Sequence, residues 1–169
     1  MTTIAHTPVE GWSEPTARGR LRIIQDADTV AMVGVSSKPE RASHFVATYL
    51  TSSAAADLEV YFVNPTEEEV LGRTVYPSLE ALPVAPDIVD VFRRAEACPE
   101  VAREAAAVGA GTLWLQLGIW SPEACRIAAG AGMRVVMDRC LKIEHARFHG
   151  GLHMAGFDTG VISSRRQPL

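Results

Sequence analysis

Cysteine is scarce and unpaired in pattern: Cys98, Cys125 and Cys140 are three in number and form no CxxC spacing. An odd count without that spacing argues against a disulfide scaffold and suits a reducing compartment. Long apolar runs are missing as well. No stretch approaches the ~20 apolar residues of a membrane span, and the opening segment holds no run suited to a signal peptide. The expectation is a soluble, unexported, cytoplasmic protein that meets no membrane. Positive charge is not in excess, with 16 Lys and Arg against 20 Asp and Glu, a formal net charge of -4 and a pI near 5.7. That balance speaks against a protein that neutralises phosphate backbones, so nucleic acid is not an expected partner.

What the chain does have is 169 residues, 47% of them hydrophobic and 21% charged, enough for one domain with a sizeable core. Apolar β-branched runs alternate with helical segments, the signature of a parallel sheet covered on both faces. The expected fold class is therefore α/β: a single Rossmann-like, doubly wound, mainly parallel sheet with helices on both faces. Residues 1–25 read as a leading segment and helix, 26–148 as the Rossmann-like domain and 149–169 as a C-terminal tail rich in Gly and Ser.

Within the domain, Thr29–Val35, Leu58–Val63, Asp87–Phe92, Thr112–Leu117 and Arg134–Met137 read as strands. Ser43–Ala55 carries helical spacing through Phe45, Val46, Tyr49 and Leu50. A chain turn is expected through the acidic triplet and Leu71-Gly72, then a short edge strand at Thr74–Tyr76 and a helical turn capped by Ser78. An alanine-rich helix runs from about Pro99 to Val108, where Gly109 can end it. Ser121 caps a helix that has Pro122 at its first position and reaches Gly130.

In doubly wound sheets ligands sit outside the carboxyl ends of the strands, so the loop after the first strand comes first. It reads Gly34-Val35-Ser36-Ser37-Lys38-Pro39-Glu40-Arg41-Ala42-Ser43. The glycine permits a tight turn, Ser36, Ser37 and Ser43 offer hydroxyls, Lys38 and Arg41 add positive charge, and the amides opening the next helix attract anions. These features suit a phosphate or diphosphate, and the same polar loop also occurs without any ligand. The loop has one glycine and no GxGxxG, and Asn64-Pro65 follows the second strand where a dinucleotide site has an acidic residue. Both points disfavour NAD. The pattern GxxxxGK[ST] is absent too, which disfavours an ATPase.

Five motifs in order, Val33-Gly-Val-Ser-Ser-Lys-Pro39, Val63-Asn-Pro65, Asp90-Val-Phe-Arg93, Leu113-Trp-Leu-Gln-Leu-Gly118 and Val136-Met-Asp-Arg-Cys140, make a combined signal. Over about Asp26 to Phe148 the chain resembles the small stand-alone CoA-binding proteins, relatives of the cofactor domain in the succinyl-CoA synthetase alpha subunit. The resemblance implies coenzyme A as cofactor, with Gly34, Val35, Ser36, Ser37 and Arg41 or Ser43 near its phosphates. It further implies Asn64 and Pro65 at the nucleotide end, and Val91, Phe92 and Arg93 beside the pantetheine path. Gln116 either reaches the ligand with its amide or satisfies loop backbone.

The related synthetases need a phosphorylatable histidine and a second domain, for which this sequence leaves no length. The leading expectation is thus a non-catalytic or regulatory coenzyme A binder. The alternative is an enzyme acting on a CoA thioester or CoA disulfide, with Cys140, Asp138 or His145 in its chemistry and Cys98 a weaker thiol candidate. A nucleotide-dependent oxidoreductase and a purely structural domain stand behind these. Lys142, Glu144, His145, His149 and His153 crowd one segment, but surface or structural roles outweigh metal binding there, and no metal site is assigned. Asp138-Arg139 with Glu144-His145, and Asp90 with Arg93 or Arg94, read equally as ion pairs. Trp114 reads as core and Trp120 as a cleft-lining candidate. A homodimer is left open, since no heptad or exposed apolar stripe stands out.

Overall fold

The computed structural model describes residues 5–149. Most of the expected C-terminal tail, including His153, and the side chain of His149 lie outside the described residues. Helix α1 (Ala17–Gln25) starts at Thr16, whose hydroxyl accepts from the Gly19 amide at 3.1 Å. It buries Ile23 and Ile24 and leads into β1 (Thr29–Val33). Then follow α2 (Ala42–Leu50), β2 (Glu59–Val63), β3 (Glu69–Val70), β4 (Arg73–Tyr76) and β5 (Ile88–Val91). The rest of the domain is α3 (Cys98–Ala107), β6 (Thr112–Leu115), α4 (Pro122–Gly130), β7 (Arg134–Val136) and α5 (Leu141–His149).

These strands form one seven-stranded sheet in the order β3-β4-β2-β1-β5-β6-β7, parallel except for the β3–β4 pair. Alternation along each strand feeds two apolar layers. Val33, Val91, Leu113 and Leu115 face Val101, Ala102, Ala105, Ala124 and Ala128 of α3 and α4. Val30, Met32, Phe62, Trp114 and Val136 face Ile24, Val46, Leu50 and Leu141 of α1, α2 and α5. This is the doubly wound α/β sheet that the alternating pattern implies, with its central strands buried on both sides. The buried pair Arg20–Glu144, 3.0 Å from Nε to Oε2, ties α1 to α5.

Local differences from the sequence reading have physical causes. The helix expected over Ser43–Ala55 stops at Leu50. The Thr51 and Ser52 hydroxyls bond back to the Ala47 and Tyr49 carbonyls, and a separate 3-10 turn at Ser53–Ala55 follows, capped by Ser52. The acidic stretch read as a turn supplies β3, so β4 lies one strand in from the edge. Leu71 and Gly72, at φ 53° and 71°, form the two-residue connection that lets β3 fold back on β4. Ser78 starts no helix: its carbonyl accepts from Ala81 at 3.3 Å in a turn, and prolines at 83 and 86 allow no continuation. Gly109, at φ 76°, ends the α3 segment as expected, and Ser121 caps α4 through the Ala124 amide.

Candidate functional site

Strand β1 has β2 on one side and β5 on the other, so the connections leaving β1 and β5 diverge. At such a switch point the carboxyl ends of the strands enclose a crevice. Here it is a cleft of about 770 Å³ between the loops after β1, β5 and β6, the start of α2 and the start of α5.

Gly34 ends β1 with φ 87°, and a Cβ there would lie 3.0 Å from the Phe92 carbonyl oxygen and 3.3 Å from Arg93 Cδ. The glycine is thus demanded by the neighbouring β5 loop as much as by any ligand. Beyond it the loop is laced by its own side chains. Ser43 Oγ accepts from the Ser36 amide at 3.1 Å, Ser36 Oγ accepts from the Lys38 amide at 3.2 Å, and Asn64 Nδ2 donates to the Val35 carbonyl at 2.7 Å. Asn64 Oδ1 meanwhile accepts from the amide and hydroxyl of Thr66. No side chain caps α2, so its opening amides face the cleft beside Lys38 and Arg41, a donor-rich and cationic end.

The other end of the cleft is apolar. Phe45, 62% exposed, and Leu117, 66% exposed, line it with Phe92, Ile119 and Ile143. The Lys142 ammonium sits 4.0 Å from the centre of the Phe45 ring. Gln116 and Cys140 also line the cleft. Gln116 Nε2 donates to Asp90 Oδ1 at 2.6 Å, and Asp90 is wholly buried, its Oδ2 lacking a partner among the described residues. Burial raises the Asp90 carboxyl to about 8, opposed by the Gln116 bond. Burial also raises the Cys140 thiol, and it pushes Cys98 and Cys125 up to about 11.

Of the residues singled out in the sequence, Gly34, Ser36, Lys38, Arg41, Ser43, Asn64, Phe92, Arg93, Gln116 and Cys140 line this one cleft. Four others do not. Val35 and Val91 are fully buried in the two apolar layers: Val91 points there by the alternation of β5, and Val35, in the loop beyond β1, joins the layer opposite to that of Val33 after the turn at Gly34. Ser37 is committed to Glu67, and Pro65 is an exposed turn residue outside the lining. Gln116 bonds neither loop backbone nor a charge network but Asp90, and Asp90 forms no ion pair with Arg93 or Arg94 among the described residues. Asp138, Arg139, Glu144 and His145 pair outward, with His6, Glu14, Arg20 and Asp57, rather than with one another. Trp114 is core. Trp120 is no cleft residue: it stacks on His6 with ring centres 4.0 Å apart and donates to the Thr7 carbonyl.

The sequence reading missed Phe45, Thr66, Glu67, Leu117, Ile119, Lys142 and Ile143. Phe45 shares the helical spacing of Val46 and Leu50, and only the packing of α2 shows that it faces out. Lys142 and Ile143 enter because α5 folds back over the β1 loop, a placement that no local pattern announces.

Comparison with known proteins gives a consistent result. A family model described as "CoA binding domain" matches residues 28–146. YneT of Bacillus subtilis (strain 168), an uncharacterised protein, is 39% identical over 124 residues, which cover 73% of this chain and 90% of YneT. A solved hypothetical protein from Pyrococcus horikoshii OT3 superposes with a TM-score of 0.74 at 34% identity, covering 88% of this chain and all of that one. A dinucleotide-forming acetyl-coenzyme A synthetase from Ca. Korarchaeum cryptofilum shares the fold alone, at 21% identity and a TM-score of 0.61 over 70% of this chain and 28% of its own.

Proposed function

Because the chain belongs to the CoA-binding domain family, we propose that it binds coenzyme A or an acyl-CoA in this cleft, one ligand per chain, and performs no chemistry on it. The observation that carries the reading is the gradient along the cleft, from the cationic, amide-rich end at Lys38, Arg41 and the α2 start to the apolar end at Phe45, Leu117 and Ile143. Coenzyme A is itself graded in this way, with a multiply charged head and a long, mostly uncharged arm. In this reading the diphosphate lies against the loop after β1 and the arm runs past Phe92 and Gln116 towards Cys140.

The groups on which an enzyme reading depends are committed elsewhere. Burial raises the Cys140 thiol above its ordinary value, which disfavours the thiolate that attacks thioesters and disulfides. Asp138 accepts from the Gly118 amide and bonds His6, and His145 lies between Tyr49 and Asp57. Binding without turnover is the consistent outcome.

Native mass spectrometry after incubation with acetyl-CoA tests this. One ligand mass per chain, lost on denaturation without reductant and with no free coenzyme A accumulating, is expected. Steady thioester cleavage abolished by Cys140→Ala would replace the binding reading with the enzyme reading.

A further inference from the structure

Two donors of the loop after β1, the amide and the hydroxyl of Ser37 at the rim of the cleft, are already occupied. The Ser37 amide donates to Glu67 Oε1 at 2.9 Å, and the Ser37 hydroxyl donates to the same oxygen at 3.0 Å. Those bonds, together with the neighbouring Lys38 ammonium, hold the Glu67 carboxyl below the ordinary carboxylate range. A carboxylate that accepts from one loop amide and one hydroxyl beside a lysine has the coordination that a phosphate oxygen takes in such loops.

The side chain is delivered there by a fixed turn. Asn64 holds the Val35 carbonyl with its amide nitrogen and the Thr66 amide with its oxygen, and Glu67 follows directly. The connection after β2 is thereby tied to the loop after β1, and Glu67 reaches across with its own rotatable bonds.

We propose that Glu67 is a specificity-determining residue of the cleft: a resident anion that occupies the loop donors and yields them only to a ligand of higher charge. The inference rests on reading the polar end of the cleft as a phosphate site. Its consequence is selectivity. A singly charged anion gains little over the carboxylate it must displace, whereas a diphosphate offers more negative charge to Lys38, Arg41 and the open α2 amides. The bound diphosphate must also tolerate the displaced carboxylate nearby, so Glu67 lowers affinity for every anion while favouring polyanions in relative terms.

Titration calorimetry of the whole chain with inorganic pyrophosphate, and separately with coenzyme A, tests this on the wild type, Glu67→Gln and Glu67→Ala. Both variants are expected to bind both ligands about three- to tenfold more tightly, the range set by the net worth of the one or two hydrogen bonds given up. If Glu67 merely shaped the loop, both variants would bind more weakly; that result, or unchanged affinity, overturns the inference and leaves the coenzyme A reading standing. Tighter pyrophosphate binding in the variants with no coenzyme A binding by any of the proteins would keep the Glu67 assignment and remove coenzyme A. No binding of either ligand by any protein overturns both.

Discussion

Asp90 Oδ1 accepts a 2.6 Å hydrogen bond from Gln116 Nε2 at the floor of the cleft, and Asp90 has no solvent contact. Met32, Asp90 and Trp114 stand in register on neighbouring strands, so the carboxyl is set within the layer beneath α2 and α5. An acid in such a place keeps its proton long after an exposed one has lost it.

Stability should therefore fall as pH rises. The unfolded chain releases the Asp90 proton near its ordinary value of 3.8, while the folded chain holds it to about 8. The contribution is complete below the unfolded value and lost as pH climbs through the folded one. Asp90→Asn removes this contribution, and urea unfolding at pH 5 and pH 8 should show a flatter pH slope, by roughly 3–4 kcal/mol across the interval. An identical slope in the two proteins would mean that Asp90 is ionised in the fold.

Gly34→Ala should unfold at distinctly lower denaturant. At φ 87° the new Cβ is strained by the backbone and meets the Phe92 carbonyl oxygen at 3.0 Å. A loss of about 1–3 kcal/mol is expected, read from the shift in the urea midpoint with the transition slope unchanged. A midpoint equal to that of the wild type would contradict the described approach of the β1 and β5 loops.

The Arg20–Glu144 pair should be costly to break from either side. Both side chains are almost fully buried, at 5% and 3% exposure, and Arg20 also donates to the Pro15 carbonyl. Glu144→Gln leaves the buried guanidinium only the 3.8 Å contact with the exposed Glu14 for a charge partner, and about 3 kcal/mol of stability should be lost. Since this pair joins α1 to α5, amide exchange should quicken in both helices together.

Cys140 should be a slow thiol. Burial raises it above the ordinary cysteine range, though it is the least buried of the three cysteines. Alkylation by iodoacetamide at pH 7.5 should modify Cys140 before Cys98 or Cys125, yet more slowly than a free thiol. Modification at or above the free-thiol rate would reopen a covalent role for this residue.

The sequence made the framework legible because local signals and tertiary packing agreed. Apolar runs at β1, β5 and β6 could be stable only as strands buried on both faces, and Ser121-Pro122 carried the cap and first position of α4 on its own. The loop after β1 stood out through its residue types, and most of its polar side chains do line the cleft. What escaped depended on direction. Val35 and Val91 sit in the right motifs but face the core, Val91 by the alternation of β5 and Val35 by the turn of the chain at Gly34. Phe45 and Val46 are adjacent in the sequence and opposite in exposure. Glu67 lies thirty residues from Ser37 and meets it only because β2 and β1 are neighbours in the sheet. The partners of Asp90, Trp120 and Arg139 likewise come from distant segments, and residue type gave no hint of which would pair.

Occupation of the cleft by coenzyme A through the cationic loop is tested most directly by titration calorimetry of coenzyme A against the wild type and Arg41→Ala. Arg41 is exposed at the cleft and no described side chain bonds it, so its removal should leave the fold intact. Saturable binding at one site per chain, weakened about five- to twentyfold in Arg41→Ala as expected for a lost phosphate contact, is the predicted result. Absence of binding to the wild type, or equal affinity in the two proteins, would contradict it.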